Sequence, residues 1–559
     1  MDNTNFYLPW AHGNNNVALH PNTALQLELA ESRCSAPCVY ETVILPTART
    51  TNSIFPTLAQ SFSADPEIIN GQRTIVKNVV REGPLLPLPV LSELDILHDS
   101  LSNIRDDDGF RAKYGYIDFD RVSFLNEIPV AMVLLVMYNV GSPFFSLLSP
   151  LVGVLLAYIL IIVRGAQVSF STFISVITTR LSWLVNIKKL FSSEHSMYTR
   201  VKVVLTAALY CFSIYQNIRS CRSFIRNYSN VHNTLSALIT VTDAVSNALI
   251  RVKKLISPSI QSQEYWDLCQ HMVGPAQQLS DHIRDSLPLK ITNPTTIPLA
   301  LRLFYQFRHS QPLIISTNWL LGIGALFDVY GGLARGWGAG ELGACVPCES
   351  FEKAFVRGLR HPSIGPDCVL NNVNLRRSSV LTGRNGSGKT TLAKSLAIAA
   401  VLGSQFGLAP CQKAQLPPLH TIRCEMNVPD TNERDSLFEA EGRRCLELIE
   451  TIKSVPKGHH LCIFDELFSG TNAEEALDAA TGVLHSMASQ YKVRFLVTTH
   501  MHGLGPRLGE RVAQSLTMEY DSGKATHRMQ SGITSTSGAR DTLVRLGFTD
   551  EQLGTAIRS

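Results

Sequence analysis

Residues Leu381–Thr391 read LTGRNGSGKTT and contain the complete pattern G-x-x-x-x-G-K-[ST] from Gly383 to Thr390. A loop of this composition cradles phosphates. Gly386 and Gly388 let the backbone turn its N–H groups towards a β-phosphate. Lys389 supplies a point charge to the β/γ oxygens, and Thr390 places a hydroxyl on Mg²⁺. Ser379-Val380-Leu381 enters the loop as a short apolar strand, and the Ala/Leu-rich stretch Thr391–Leu402 leaves it with helical spacing. A helix starting there turns its positive end towards the phosphates. The expected ATP-binding set is therefore Gly383, Arg384, Asn385, Gly386, Ser387, Gly388, Lys389, Thr390 and Thr391.

Working outward, His460–Asn472 reads HLCIFDELFSGTN, a buried-strand run ending in two acids. Behind a phosphate loop, Asp465 is placed to hold Mg²⁺ together with Thr390, and Glu466 to orient or deprotonate an attacking water. A second strand, Val493–Val497, runs into Thr498-Thr499-His500. A histidine at the C-terminal end of a strand lies where open α/β sheets bind ligands, so His500 is expected at the γ-phosphate. Lys389, Glu466 and His500 are thus the candidate catalytic residues. The fold class implied is an α/β P-loop NTPase at the C-terminal end, preceded by a mainly α-helical region.

The stretch from about Gly358 to Leu553 resembles the ATPase domain of the MutS family, the DNA mismatch-repair and recombination clamps. Thr382-Gly383, Asn385 and Gly388-Lys389-Thr390 match its TGxNxxGK[ST]; Arg360-His361-Pro362 resembles its entry motif, which adds His361 to the nucleotide site. Ser436-Leu437-Phe438 with Glu441 resembles its S-x-F-x-x-E signature, and Asp465-Glu466-Leu467 with Gly470-Thr471 its DE-[LI]-x-x-GT stretch. Leu326–Ala334 is similar to the helix that joins the lever region to the ATPase. Residues Ser531–Ala539 and Leu546-Gly547-Phe548 resemble a C-terminal helix-turn-helix. The resemblance implies a homodimer, or a dimer with a related MutS-like subunit, in which Ser436 acts in trans on the partner's ATP. It also implies DNA as a partner. Arg384 and Gly386-Ser387 depart from the family's usual residues, and no Phe-x-Glu wedge occurs upstream of the loop. Mismatch reading is therefore not implied.

The rest of the chain is less explicit. Lys+Arg 50 against Asp+Glu 46 leaves a net charge of +4 over 559 residues, which gives no overall electrostatic footprint for nucleic acid. Twelve scattered cysteines with no signal peptide before them suggest reduced thiols in a cytosol-facing protein. Cys345 and Cys348 form a lone C-x-x-C, short of a zinc ribbon. Residues 1–85, rich in Asn, Thr, Ser and Pro, are expected to be loosely ordered. Residues 86–335 are expected to form a helical lever or core. In it, Leu91, Leu94, Leu97, Leu101 and Ile104 mark one amphipathic helix, and Leu235, Leu238, Val245, Leu249, Val252 and Ile256 a longer one. The ATPase domain is assigned to 336–530 and the dimerisation element to 531–559.

From Ile128 to Val163, 36 residues carry no charge. Gly141-Ser142-Pro143 is expected to interrupt them, leaving Phe144–Val163 as a 20-residue candidate span, enough for about 30 Å of hydrocarbon. Arg164, Arg180, Lys188 and Lys189 follow, and positive charge marks that side as cytosolic. The expectation is membrane association with a cytosolic ATPase domain, the alternative being an intracellular soluble protein. The uncharged segment also raises the alternative of an ABC-type transporter. No LSGGQ-like signature exists, however, and only 76 positions separate Lys389 from Asp465. A third alternative, a scaffold that binds ATP without hydrolysing it, is opposed by Glu466 and His500.

Overall fold

The computed structural model describes residues 6–12, 16–33, 35–165, 167–180, 197–256, 260–286, 296–365, 367–426, 437–521, 524–533, 547 and 549. Ser436 and most of 531–559, where the resemblance places the signature serine and the helix-turn-helix, lie outside them. The chain divides into two compact units, one comprising 1–95, 241–274 and 315–559, the other 96–240 and 275–314. These do not follow the boundaries drawn from sequence.

The first unit is built around a six-stranded sheet. Its elements are β1 (Ser378–Thr382), α1 (Lys389–Phe406), β2 (Leu419–Glu425), α2 (Leu437–Ser454), β3 (His459–Asp465), α3 (Ala473–Gln490), β4 (Val493–Thr498), β5 (Ala513–Asp521) and β6 (Lys524–Ser531). The strand order is β6-β5-β1-β4-β3-β2. Every pairing is parallel except the β5–β6 hairpin. All five residues of β1 are buried, as expected of a parallel strand covered on both faces. A second, five-stranded sheet, not foreseen from the sequence, orders Asn371–Asn374, Phe355–Leu359, Lys413–Leu416, Gly343–Pro347 and Leu408–Ala409.

Residues 1–85 differ from the loosely ordered stretch expected. The helix Pro66–Glu82 is capped by Asp65, whose Oδ1 accepts from Glu67 N at 2.8 Å, and its apolar residues Ile68, Ile69, Ile75, Val76 and Val79 are buried. Trp10 meets Phe406 edge-on with ring centres 5.2 Å apart. Gln405, fully buried in α1, donates to Leu58 O at 2.7 Å and Ser61 O at 3.0 Å and accepts from Tyr40 Oη at 3.1 Å. The free edge of β2 is covered as well: Thr23 Oγ1 accepts from Cys424 N at 3.1 Å, and Gln26 Oε1 from Met426 N at 3.0 Å. These side chains do the work of a neighbouring strand. Ile68, Ile69, Ile75, Val76 and Val79 do follow a helical period, which the Asn-, Thr-, Ser- and Pro-rich composition of the segment obscures, whereas Trp10 and Tyr40 follow none.

Helix Gln311–Gly338 carries Asp328 into this core. The 2% exposed carboxylate accepts from Thr47 N (2.8 Å), Ala48 N (3.0 Å) and Thr51 Oγ1 (2.8 Å).

The second unit is helical. An aromatic cluster (Phe110, Tyr114, Tyr116, Phe304, Tyr305) holds it together, with Tyr116 Oη donating to Leu301 O at 2.7 Å. The stripe Leu91–Ile104 lies buried on helix Leu88–Asp106, as its spacing predicts. Helix Pro129–Val163 runs unbroken through Gly141-Ser142-Pro143 and Pro150, contrary to the interruption expected. Each proline removes an N–H and orphans the carbonyl four residues back. Ser142 Oγ donates to Asn139 O at 3.3 Å and Ser149 Oγ to Ser146 O at 2.8 Å, so the serine before each proline serves the orphan.

Candidate nucleotide site

The site forms where β1, β3 and β4 end. Gly383, Gly386 and Gly388 adopt φ of +153°, +74° and +99°, conformations that favour glycine and turn successive N–H groups to one side as an anion nest. Lys389, buried at the start of α1, has Nζ folded back onto Gly383 O (2.8 Å) and Arg384 O (3.2 Å). Burial lowers its pKa from the usual lysine value, and Glu466 and Asp465 oppose that.

Thr390 Oγ1 donates to Asp465 Oδ2 at 2.9 Å, while Thr498 Oγ1 donates to Oδ1 of the same carboxylate. A hydroxyl and a carboxylate at this distance are hard oxygen donors suited to Mg²⁺. Glu466 follows with φ +57° and Phe468 with φ +59°, a doubly left-handed turn. Non-glycine residues held there cost of order 1–3 kcal/mol each and concentrate at functional sites. Glu466 N donates to Thr498 O at 2.9 Å, tying this turn to β4.

His500 Nε2 lies 3.3 Å from Glu466 Oε1 and 3.4 Å from Lys389 Nζ. Burial first, then Lys389, lowers its pKa, with Glu466 opposing. The ring is therefore neutral at pH 7, and its contact with Glu466 is a hydrogen bond rather than an ion pair. Both side chains are about half exposed, open to a ligand or a second subunit.

A cavity of about 370 Å³ adjoins the loop, lined among others by His361, Asn385, Gly386, Thr391, Met518 and His527. His361 caps the turn Pro362–Ile364, its Nδ1 accepting from Ser363 N at 3.3 Å. Burial, reinforced by Lys394, pushes its pKa down to about 4. The sequence reading missed His527. It sits on β6 with φ +56°, and its Nδ1 lies 3.0 Å from Ser387 O. Asn371 holds that segment, donating to His527 O at 3.0 Å and accepting from Met529 N at 2.7 Å. A lone histidine far along the chain from the loop carries no local signal; only the hairpin brings it back. Arg384 is placed differently from the expectation: its guanidinium stacks over Tyr520 at 4.2 Å, and it does not line the cavity. Ser387 is also absent from the lining, its hydroxyl buried.

The signature helix α2 is pinned in cis to the turn after Glu466. Phe438 packs on Phe468 (5.3 Å between ring centres), and Glu441 accepts from Ser469 Oγ at 3.3 Å. Burial raises the Glu441 pKa against the hydrogen bonds from Ser469 and Gly470. The turn after Glu466 and the start of α2 are thus joined by both an aromatic and a polar contact.

Comparison with known proteins agrees with this geometry. Residues 379–540 match the model of MutS domain V, a P-loop ATPase domain. The chain is 30% identical over 241 residues to an endonuclease MutS2 of Thermus thermophilus, covering 42% of this chain and 31% of that protein. It is 31% identical over 128 residues to a DNA mismatch repair protein MutS of Treponema denticola (22% and 14%). It is 30% identical over 137 residues to the mitochondrial DNA mismatch repair protein MSH1 of Arabidopsis thaliana (24% and 12%). The matches thus span less than a third of each of these relatives. Residues 379–540 of the chain thus carry a domain of the MutS family.

Proposed function

We propose that the chain hydrolyses ATP with Mg²⁺ to switch a dimeric, DNA-engaging assembly. The observation that carries this is the convergence of Lys389, the Thr390–Asp465 pair and the Glu466–His500 pair at one end of the sheet. Mg²⁺, when bound, neutralises charge on the β/γ oxygens. Lys389 leaves the carbonyls of Gly383 and Arg384 for those oxygens. Glu466 takes the proton of the attacking water, and neutral His500 donates towards the γ-phosphate. Thr391 and His361 line the nucleotide's flank, and Ser436, which lies outside the described residues, completes a partner's site. The names of the relatives, mismatch-repair proteins and MutS2 endonucleases, support DNA as the partner. They lend the transporter alternative no support.

The test is a pair of variants. Glu466→Gln is expected to cut turnover by roughly 10²–10⁴-fold, the usual loss on removing a general base, while ATP still binds. Lys389→Ala is expected to lose binding itself. Undiminished hydrolysis by Glu466→Gln would overturn the assignment, and turnover that no DNA alters would remove DNA from it.

A further inference from the structure

The second unit contains a helical hairpin whose polarity is inverted. One leg is Pro129–Val163 and the other is the first part of Met197–Leu255. Three contacts set their antiparallel register: Tyr210 Oη donates to Leu147 O (2.9 Å), Asn217 Nδ2 to Ser146 Oγ, and Cys221 Sγ to Val140 O (3.6 Å). The polar side chains therefore face inward, between the legs. Outward, successive residues Leu155, Leu156, Ile159, Leu160, Ile162 and Val163 are all exposed, as are Val204, Leu205, Leu209 and Phe212 on the other leg. With Val152, Gly153 and Ala157, also exposed, these positions of the first leg span about 220° of the helix circumference, wider than one stripe. A single partner helix would cover only one face, whereas a helix apolar all round belongs in a core or in lipid.

We propose that this hairpin inserts into a lipid bilayer. The register aligns the uncharged stretch Val203–Ile218 with residues 143–158 of the uncharged first leg, giving about 24 Å in which neither leg bears a charge. Cations bracket that slab: Arg219, Arg222 and Arg226 follow at one end, Arg164 at the other, with Arg200 and Lys202 nearby in sequence. Long basic side chains at both ends reach headgroups and extend the accommodated thickness towards the ~30 Å of a hydrocarbon core. The backbone is ready for that solvent, because both carbonyls orphaned by Pro143 and Pro150 are already served by serines. Among the described residues, three helices are long and apolar enough to cross a membrane. Gln311–Gly338 is largely buried within the protein, which leaves the two hairpin legs exposed. Both legs return the chain to the same end of the hairpin. Because basic residues lie at both ends, the charge bias read from Arg164, Arg180, Lys188 and Lys189 does not by itself orient the hairpin.

The proposal is tested on the full chain by flotation with phosphatidylcholine vesicles containing phosphatidylglycerol, followed by extraction at high pH. The wild-type protein is expected to float and to resist alkaline extraction. Leu156→Glu combined with Leu209→Glu is expected to reduce the floated fraction at least tenfold while ATP binding is retained, which separates loss of insertion from misfolding. Release by alkali, or a soluble wild-type chain that associates through this face with a second copy and does not float, would overturn it. Neither outcome bears on hydrolysis, so this proposal and the ATPase reading fail separately.

Discussion

Asp328→Ala removes the acceptor for three donors at once, and its cost can be worked out from the geometry. Thr47 is exposed, so its freed N–H reaches water. Ala48 and Thr51 are 2% and 0% exposed, and their N–H and hydroxyl would be left without the carboxylate. Each unsatisfied buried polar group costs about 1–3 kcal/mol, so the variant is expected to lose about 4 kcal/mol. Asp328→Asn keeps an amide oxygen for the same donors and gives up only charge assistance, for an expected loss of about 1–2 kcal/mol. Urea titration followed by tryptophan fluorescence reads mainly this unit, because four of the five tryptophans, Trp10, Trp266, Trp319 and Trp337, lie in it. A lower midpoint at unchanged slope is the expected signature. If Asp328→Ala fell within 1 kcal/mol of the wild type, or if Asn cost as much as Ala, the view that this carboxylate fastens segment 47–51 to helix Gln311–Gly338 would be refuted.

Two other outcomes are expected. His460 is fully buried, its Nε2 donating to Val455 O at 3.1 Å and its Nδ1 accepting from Thr421 Oγ1 at 2.9 Å, and burial pushes its pKa down to about 4. Between the ordinary histidine value and about 4 the unfolded chain binds the extra proton, so stability falls as pH falls through that window, by about 3 kcal/mol from this group. The difference in urea stability between wild type and His460→Phe should therefore vary with pH below 6.5 and be flat above it; no variation would contradict the burial argument. Thr390→Val keeps the shape of the first turn of α1 but deletes one oxygen donor beside Asp465. Half-saturation by Mg²⁺ in a nucleotide-binding titration should rise about tenfold or more, roughly 1.4 kcal/mol, and an unchanged titration would remove Thr390 from the metal site.

The ATPase core was legible because its information is local. Glycines at 383, 386 and 388 specify backbone angles, and an apolar run ending in Asp465-Glu466 specifies a strand tip. Amphipathic stripes such as Leu91–Ile104 were equally plain, since a period of 3.6 survives in the sequence whatever it packs against. The stretch Gly141-Ser142-Pro143 was misread as an interruption, because helix continuity there rests on the hydroxyl of Ser142, one residue before the proline.

What the sequence by itself determined is the chemistry of one loop, two strand tips and the family they resemble. Only the tertiary structure decided that the described residues between 6 and 82 are an integral cover for that ATPase core, because Trp10 and Tyr40 meet Phe406 and Gln405 hundreds of residues away and leave no periodic trace. It alone brought His527 to the phosphate loop and drew Arg384 away onto Tyr520. It alone aligned two uncharged helical stretches, separated by some forty residues of chain, into one slab. In each case the deciding interaction is between side chains distant in sequence, and such pairings have no signature until the backbone is closed.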